Sequence, residues 1–382
     1  MNSALKILHL YSDWKWTGPS EPVFNLCLGL KQKGHDVTLA CWDSPSHYQG
    51  RTLPQEAETH HLAVLKFNES GKLTGFFTTL KNIKKLRSWI ARHPVDIIHT
   101  HSALDNYLAG KSVVKISPRP FILRSNHHGF PLEPTWRNRS LMKRYADGYL
   151  TFSPKLLESD RQIFKLSPER SWWINGAVNI MQFHPAVVKN NLRSKWGIPD
   201  TAVVGGMVAR IQRHRRFDIF LKAISLAVRE IPELKILIIG RGTRQSELAI
   251  EPAKQMGLAK NIIFTGHLKD DYIDALALID FGIFLVPGSD GSCRAVRELM
   301  ALGKPMIVAK RGLLPEIVEN EKEGLVVEDT PENLAGAMVR LSKDAHLRSQ
   351  YGAAARTRTL KDFSLENQVE QVEQIYRQIL TF

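Results

Sequence analysis

The sequence predicts an α/β protein made of two doubly wound parallel sheets, and three observations carry that expectation. An apolar run at residues 281–286 ends at Pro287. A small-residue loop (288–292), a helix starting near Cys293 and a strand at 305–309 follow it. That is a β-α-β unit, whose loop lies at the carboxyl edge of a parallel sheet. The same succession opens the chain: a buried strand at 5–11, a loop at 12–21, a helix with Val23, Leu26 and Leu30 that stops at Gly34, and a strand at 35–41. Finally, 382 residues suffice for two such domains, each with its own core.

The remaining elements follow in order. Residues 76–92 read as an amphipathic helix with Phe76, Leu80, Ile83 and Ile90 on one face and Lys81, Lys85 and Arg92 opposite. Strands are expected at 94–101, 122–128, 149–153 and 172–174, and a domain boundary near Pro185. Beyond it, strands at 202–207 and 234–239 precede the central unit, and helices at 334–341 and 346–358 close the domain. A terminal helix at 364–379 turns Val369, Val372 and Ile375 inward.

Composition narrows the function classes. Apolar content of 43% and charged content of 24% are those of a soluble globular chain. No apolar run approaches the roughly 20 residues of a membrane span, and the start lacks a signal-peptide pattern. Three cysteines (Cys27, Cys41, Cys293) without metal-ligand spacing suit a reducing cytoplasm. The net charge of +14 is uneven: 24 Lys and Arg face 14 Asp and Glu through Pro185. A basic half suits nucleic acid, an anionic membrane surface or anionic substrates. No nucleic-acid-binding signature is present, which disfavours the first. Lys81, Lys85, Arg137, Arg139, Lys143 and Arg144, with Trp136 and Leu141, are candidates for lipid contact or for a solvated face.

Two carboxylates frame the central loop, Asp290 at its tip and Glu298 in the second turn of the following helix. Between them Gly291, Ser292 and Cys293 offer backbone N–H groups at a helix N-terminus, where unpaired donors and the dipole favour an anion. Carboxylates that accept from sugar or ribose hydroxyls, around N–H groups that hold phosphate, suit a sugar nucleotide. The alternative is a solvated acidic loop beside an ordinary Arg294–Glu298 helix pair. Arg294 is expected to pair with Glu298 or Asp290, and Arg297 to point to solvent.

These residues resemble the signature of family 4 of the retaining glycosyltransferases, which carry Glu-x7-Glu in this context. Here it reads Asp290-x7-Glu298, the first acid one methylene shorter. Leu299-Met300-Ala301-Leu302-Gly303-Lys304-Pro305 and Gly312-Leu313-Leu314-Pro315-Glu316-Ile317-Val318 match the runs that follow it in the family. Arg210 and Arg215 match the pair of cations that hold the donor diphosphate, with Arg215 in place of Lys and Arg216 in place of the usual Gly. Gly18 matches the loop glycine that approaches the donor phosphate, with Pro19 where a second Gly is usual. Gly240-Arg241-Gly242 resembles a turn near the nucleotide, and Leu268 a residue whose backbone meets the base. His101 is similar to the histidine that contacts the donor sugar, and His99 reads as a core residue. Arg124 and His127 are candidates for the acceptor side.

The resemblance implies a GT-B fold: two Rossmann-like domains facing across a cleft, with an acceptor domain at 1–185, a nucleotide-sugar domain at 186–360 and a C-terminal helix (361–382) crossing back to the first. It implies a retaining, metal-independent hexosyltransferase. The expected donor is a UDP-, GDP- or ADP-hexose acting as co-substrate, with no further cofactor. The expected acceptor is a cell-envelope glycan, lipopolysaccharide core or lipid-linked oligosaccharide, reached in the cytoplasm or peripherally on the inner face of the membrane. Expected catalytic residues are His101, Asp290, Arg210 and Arg215. Expected donor ligands are Gly18, Arg210, Arg215, Gly240, Leu268, Asp290, Gly291, Ser292, Cys293 and Glu298. The same fold serves sugar-nucleotide epimerases, and a non-catalytic glycan-binding scaffold is the other alternative.

Overall fold

Every strand pairing within the two sheets of the computed structural model is parallel, as β-α-β connections require. The structure describes residues 3–67, 75–287 and 293–381. The first sheet comprises β1 (Lys6–Tyr11), β2 (Asp36–Trp42), β3 (Ala63–Phe67), β4 (Ile97–Thr100), β5 (Phe121–Asn126), β6 (Gly148–Thr151) and β7 (Ser171–Trp173), in the order 3-2-1-4-5-6-7. Helices α1 (Ser20–Gln32), α2 (Leu53–Thr59), α3 (Phe76–Arg92), α4 (Ala103–Ser112), α5 (Trp136–Tyr145) and α6 (Pro154–Phe164) make its crossovers. The second sheet comprises β8 (Val204–Val208), β9 (Lys235–Ile239), β10 (Ile262–Gly266), β11 (Phe281–Phe284), β12 (Met306–Ala309) and β13 (Gly324–Val327), in the order 10-9-8-11-12-13. With it go α7 (Phe217–Glu230), α8 (Glu251–Gln255), α9 (Tyr272–Leu278), α10 (Arg294–Ala301), α11 (Leu314–Ile317), α12 (Pro331–Lys343) and α13 (Ala345–Asp362). A last helix, α14 (Leu365–Ile379), returns to the first unit.

The compact units divide between Gly176 and Ala177, ahead of Pro185, and the second ends at Ser364. The terminal helix belongs to the first unit because Val369, Val372, Ile375 and Tyr376 pack with α1 and with alternate residues of the first sheet, Ile7, Val37, Ile97 and Leu123. The intervening strand residues Leu8, Ile98 and Ile122 pack against α3 and α4 on the other face. Period-two alternation therefore buries both faces of each strand, which is why these strands read as continuous apolar runs.

The bounds of α3 are those expected, but its first turns are not buried. Phe76 is 72% and Leu80 46% exposed, and the helix packs through Asn82, Ile83, Leu86 and Ile90. Length explains this. Seventeen residues of helix span about 25 Å, whereas the four-residue β4 spans about 13 Å, so one end must overhang. No helix among the described residues is long and apolar enough to cross a membrane.

Both sheets reverse their winding beside their first strand, between β1 and β4 and between β8 and β11. In open parallel sheets the crevice at the carboxyl ends of such a strand pair is where ligands bind.

Candidate active site

At the first reversal, alternation sends His9, His99, His101 and Ser125 to the α14 side, where they join one hydrogen-bonded chain. The His99 Nε2 lies 2.6 Å from Ser125 Oγ and its Nδ1 lies 2.6 Å from the Tyr376 hydroxyl. That hydroxyl is 3.4 Å from His9 Nε2. His9 Nδ1 is 3.0 Å from His101 Nε2, and His101 Nδ1 is 2.8 Å from His127 Nε2. A neutral imidazole donates through one nitrogen and accepts through the other, so each histidine hands the hydrogen-bond direction on to its neighbour. Burial, then neighbouring imidazoles, holds His9 down to about 3 and His99 and His101 well below the usual histidine range. The same causes hold His127 at about 4.

His99 is a core histidine, as expected. His101 is also buried, at 6% exposure, and both its ring nitrogens are engaged within the protein. The chain opens outward at His127, which is only half-buried. The nitrogens of His9, His99 and His101 lie close enough for a metal ion. However, His99 and His101 are stacked at 4.4 Å and each nitrogen already serves the hydrogen-bonded chain, which suits a relay better than a chelate.

Gly18 lies in the turn that starts α1 at the same reversal, where Ser20 Oγ accepts from Thr17 N at 2.8 Å. Asp105, which sequence reasoning passed over, ties this region together: its Oδ1 accepts from Ser12 N at 2.8 Å, joining the loop after β1 to the start of α4. Burial raises its carboxyl to about 6 despite that bond. Its signal was the pair Ser102–Asp105, in which Ser102 Oγ caps the Asp105 amide. Arg124 is not brought to the histidines. It projects to the opposite sheet face, 3% exposed, with Nη2 at 3.4 Å from Asn138 Oδ1 on α5, and burial lowers its pKa.

At the second reversal, Arg210 follows β8. It is exposed, and among the described residues its guanidinium meets no partner. The turn beside it demands its glycines. A Cβ on Gly240, whose φ is +141°, would stand 2.2 Å from Ala209 O, and one on Gly242 1.9 Å from Ile211 O. The two residues flanking Arg210 are thus pressed against Gly240-Arg241-Gly242. Arg215 Nη1 donates to Val286 O at 2.9 Å and Pro287 O at 3.2 Å, holding the exit of β11. Arg216 has φ +60° and ion-pairs with Asp329 at 2.7 Å. That left-handed backbone explains why glycine is the usual residue there. Leu268 follows Gly266, whose φ is +71° at the end of β10.

Asp290, Gly291 and Ser292 lie outside the described residues. Cys293 is the buried N-cap of α10, in the left-handed region at φ +44°. Glu298 is 1% exposed. Its Oε1 lies 2.9 Å from Arg294 Nε and its Oε2 accepts from the Tyr272 hydroxyl at 2.5 Å. The expected Arg294–Glu298 pair is therefore present, and Tyr272 joins it. Arg297 does not point to solvent: it is 1% exposed, with its guanidinium 4.7 Å from the centroid of Phe363. Three residues after Arg294, it faces the neighbouring α13 side, where an aromatic face compensates the buried cation.

Two family models cover the chain, "Glycosyltransferase Family 4" at residues 17–182 and "Glycosyl transferases group 1" at residues 188–358. The chain belongs to the family 4 glycosyltransferases. A UDP-Gal:alpha-D-GlcNAc-diphosphoundecaprenol alpha-1,3-galactosyltransferase of Escherichia coli is 24% identical, over 78% of this chain and 79% of its own. A glycosyltransferase structure from Rickettsia africae superposes with a TM-score of 0.84 at 20% identity, covering 99% of each chain. An Anabaena protein, HepE, in complex with UDP superposes at 0.78 and 17% identity, covering 97% of this chain and 99% of that one. The fold is GT-B, and the activity is glycosyl transfer from a nucleotide-sugar donor. Membership favours transfer over the epimerase and scaffold alternatives.

Proposed function

We propose that this glycosyltransferase moves a hexose, with retention and without a metal, onto a lipid-linked oligosaccharide or lipopolysaccharide-core acceptor at the inner face of the membrane. The observation that carries the donor half is the Arg210 guanidinium at the second reversal, which meets no partner among the described residues, one strand from the helix that bears Glu298. In this reading Arg210, with Arg215, neutralises charge that grows on the leaving diphosphate. Glu298 grips the ribose and Asp290 the transferred sugar. Gly18, Gly240, Leu268 and the Gly291–Cys293 amides line the donor. His101 sets the histidine chain that meets sugar hydroxyls, and His127 and Arg124 serve the acceptor side. The acceptor oxygen bonds to the anomeric carbon as the carbon–oxygen bond to the diphosphate breaks. The acceptor proton leaves on that phosphate. The E. coli relative, whose donor is UDP-Gal and whose acceptor is a diphosphoundecaprenol lipid, supports an envelope acceptor.

A panel of UDP-, GDP- and ADP-hexoses tests the reading. Without acceptor, one donor should be hydrolysed slowly, at the same rate with a chelator present, and the sugar released first should keep its anomeric configuration. Interconversion of sugars, or turnover that stops with the chelator, would overturn it.

A further inference from the structure

Glu298 is only 1% exposed, and both its oxygens are engaged within the second unit. Arg294 Nε lies 2.9 Å from one, and the Tyr272 hydroxyl donates to the other at 2.5 Å. The two partners arrive differently. Arg294 lies one turn ahead of Glu298 on α10, as an i,i+4 pair. Tyr272 is the first residue of α9, which returns from the carboxyl end of β10 to the start of β11. Its first turn and that of α10 therefore share the carboxyl edge of the second sheet. Tyr272 is half-buried, and its ring meets the Phe183 ring edge-on at 6.3 Å.

A carboxylate so covered can meet a ribose only if a group that now touches it gives way. The two contacts differ in what their loss would cost. Arg294 supplies the positive charge that balances a buried carboxylate, and breaking such a pair leaves an uncompensated buried charge. No sugar hydroxyl replaces that charge. The Tyr272 hydroxyl is a neutral O–H donor, as a ribose hydroxyl is. Exchanging one for the other keeps the carboxylate hydrogen-bonded. The released hydroxyl, on a half-buried side chain, turns to water and is not left orphaned. Of the two contacts, Tyr272 is the one that can yield.

We propose that the Tyr272 hydroxyl holds the place of a ribose hydroxyl on Glu298 and leaves it when the nucleotide binds. Tyr272 thereby joins the donor site as a residue that sets nucleotide affinity. Without nucleotide it keeps Glu298 hydrogen-bonded, and with nucleotide the ribose does. Because the ribose replaces an existing bond, it adds little net affinity in the wild type. The inference rests on the reading above that Glu298 grips the ribose.

Calorimetry with two probes tests it: the nucleoside diphosphate that the donor panel selects (UDP, GDP or ADP) and its dideoxyribose form, which lacks both vicinal hydroxyls. The wild type should bind the two within a fewfold of each other. Tyr272→Phe keeps the ring against Phe183 and removes only the competing hydroxyl. It should bind the ribose form about tenfold more tightly than the wild type does, the lower end for a hydrogen bond to a charged group. The dideoxyribose form should bind as before. Ligand-free Tyr272→Phe should melt at a lower temperature, since Glu298 loses a partner. A purely structural tyrosine would lower the melting temperature without separating the two probes. Weaker or unchanged binding of the ribose form by a folded Tyr272→Phe chain would overturn the proposal. Glu298→Gln tells the two readings apart. A strong wild-type preference for ribose that Glu298→Gln removes and Tyr272→Phe leaves alone would keep Glu298 on the ribose and sink the exchange only. A ribose preference that survives Glu298→Gln would sink the Glu298 reading, and this one with it.

Discussion

Lowering the pH from about 7.5 to about 5 should destabilise the first unit by several kcal/mol, before ordinary carboxylates begin to titrate. The cause is the buried histidine chain. His9 is held at about 3, His127 at about 4, and His99 and His101 well below the usual range, because burial penalises the imidazolium. In the unfolded chain each takes up a proton near pH 6.5. A lowered native pKa means that this contribution is complete above about 6.5 and is lost as pH falls toward the native values. Asp105, raised to about 6, and Asp160, also raised by burial, act in the opposite direction, since the native state gains protons there first. The four imidazoles, with His35 also lowered by burial, outweigh the two carboxyls, so the net loss by pH 5 is on the order of several kcal/mol. That is a large share of a typical 5–15 kcal/mol stability. Urea titrations across this range should show the midpoint falling steeply. His99→Gln, which removes one titrating group, should flatten the slope. A midpoint unchanged between pH 7 and 5 would show that the histidines are not held neutral.

Gly242→Ala should cost about 3 kcal/mol and also weaken nucleotide binding. Its new Cβ would sit 1.9 Å from Ile211 O, a backbone atom that cannot rotate aside as a side chain can. The loop must move, at the upper end of the cost for overpacking, and Arg210 moves with it. Gly240→Ala adds a φ of +141° that an alanine rarely adopts to a 2.2 Å approach to Ala209 O, so it should be at least as severe. Gly336→Ala provides the control. A Cβ there meets nothing within 4 Å inside α12, and the change should stabilise by about 0.5–1 kcal/mol. Thermal melts paired with nucleotide calorimetry would check all three. A Gly242→Ala chain with wild-type stability and affinity would mean that the turn does not set the Arg210 loop.

The sheets were legible because parallel strands are buried on both faces. Runs such as Ile236–Ile239 and Ile307–Ala309 therefore announce themselves as apolar blocks. The short α2 and β3 were not, because Leu53–Thr59 and Ala63–Phe67 mix charged and apolar residues without a clear period. The helix period of Phe76–Arg92 was readable, but where the helix overhangs the sheet depends on strand length and not on its own pattern. Of the candidate site, Arg210 and the glycine turn were named from their resemblance to the family's motifs, and the structure sets them side by side. The partners of Glu298 and the histidines could not. Tyr272 reaches Glu298 from 26 residues away and Tyr376 reaches His99 from 277, and such pairings arise only once the chain is folded. Arg297 misled for a related reason: an arginine on an amphipathic helix usually faces water, and only the position of Phe363 shows that here it does not.

In the proposed reading, the second reversal binds the donor diphosphate through Arg210. Calorimetry with the free nucleoside diphosphate, UDP, GDP or ADP as the donor panel selects, tests it most directly. Arg210→Ala should lower affinity by about 1.5–3 kcal/mol, the range for a hydrogen bond to a charged group, with the melting temperature unchanged. Arg213→Ala, whose side chain is 77% exposed in the same loop, should bind as the wild type does. A folded Arg210→Ala chain with undiminished affinity would contradict the account and place the diphosphate elsewhere.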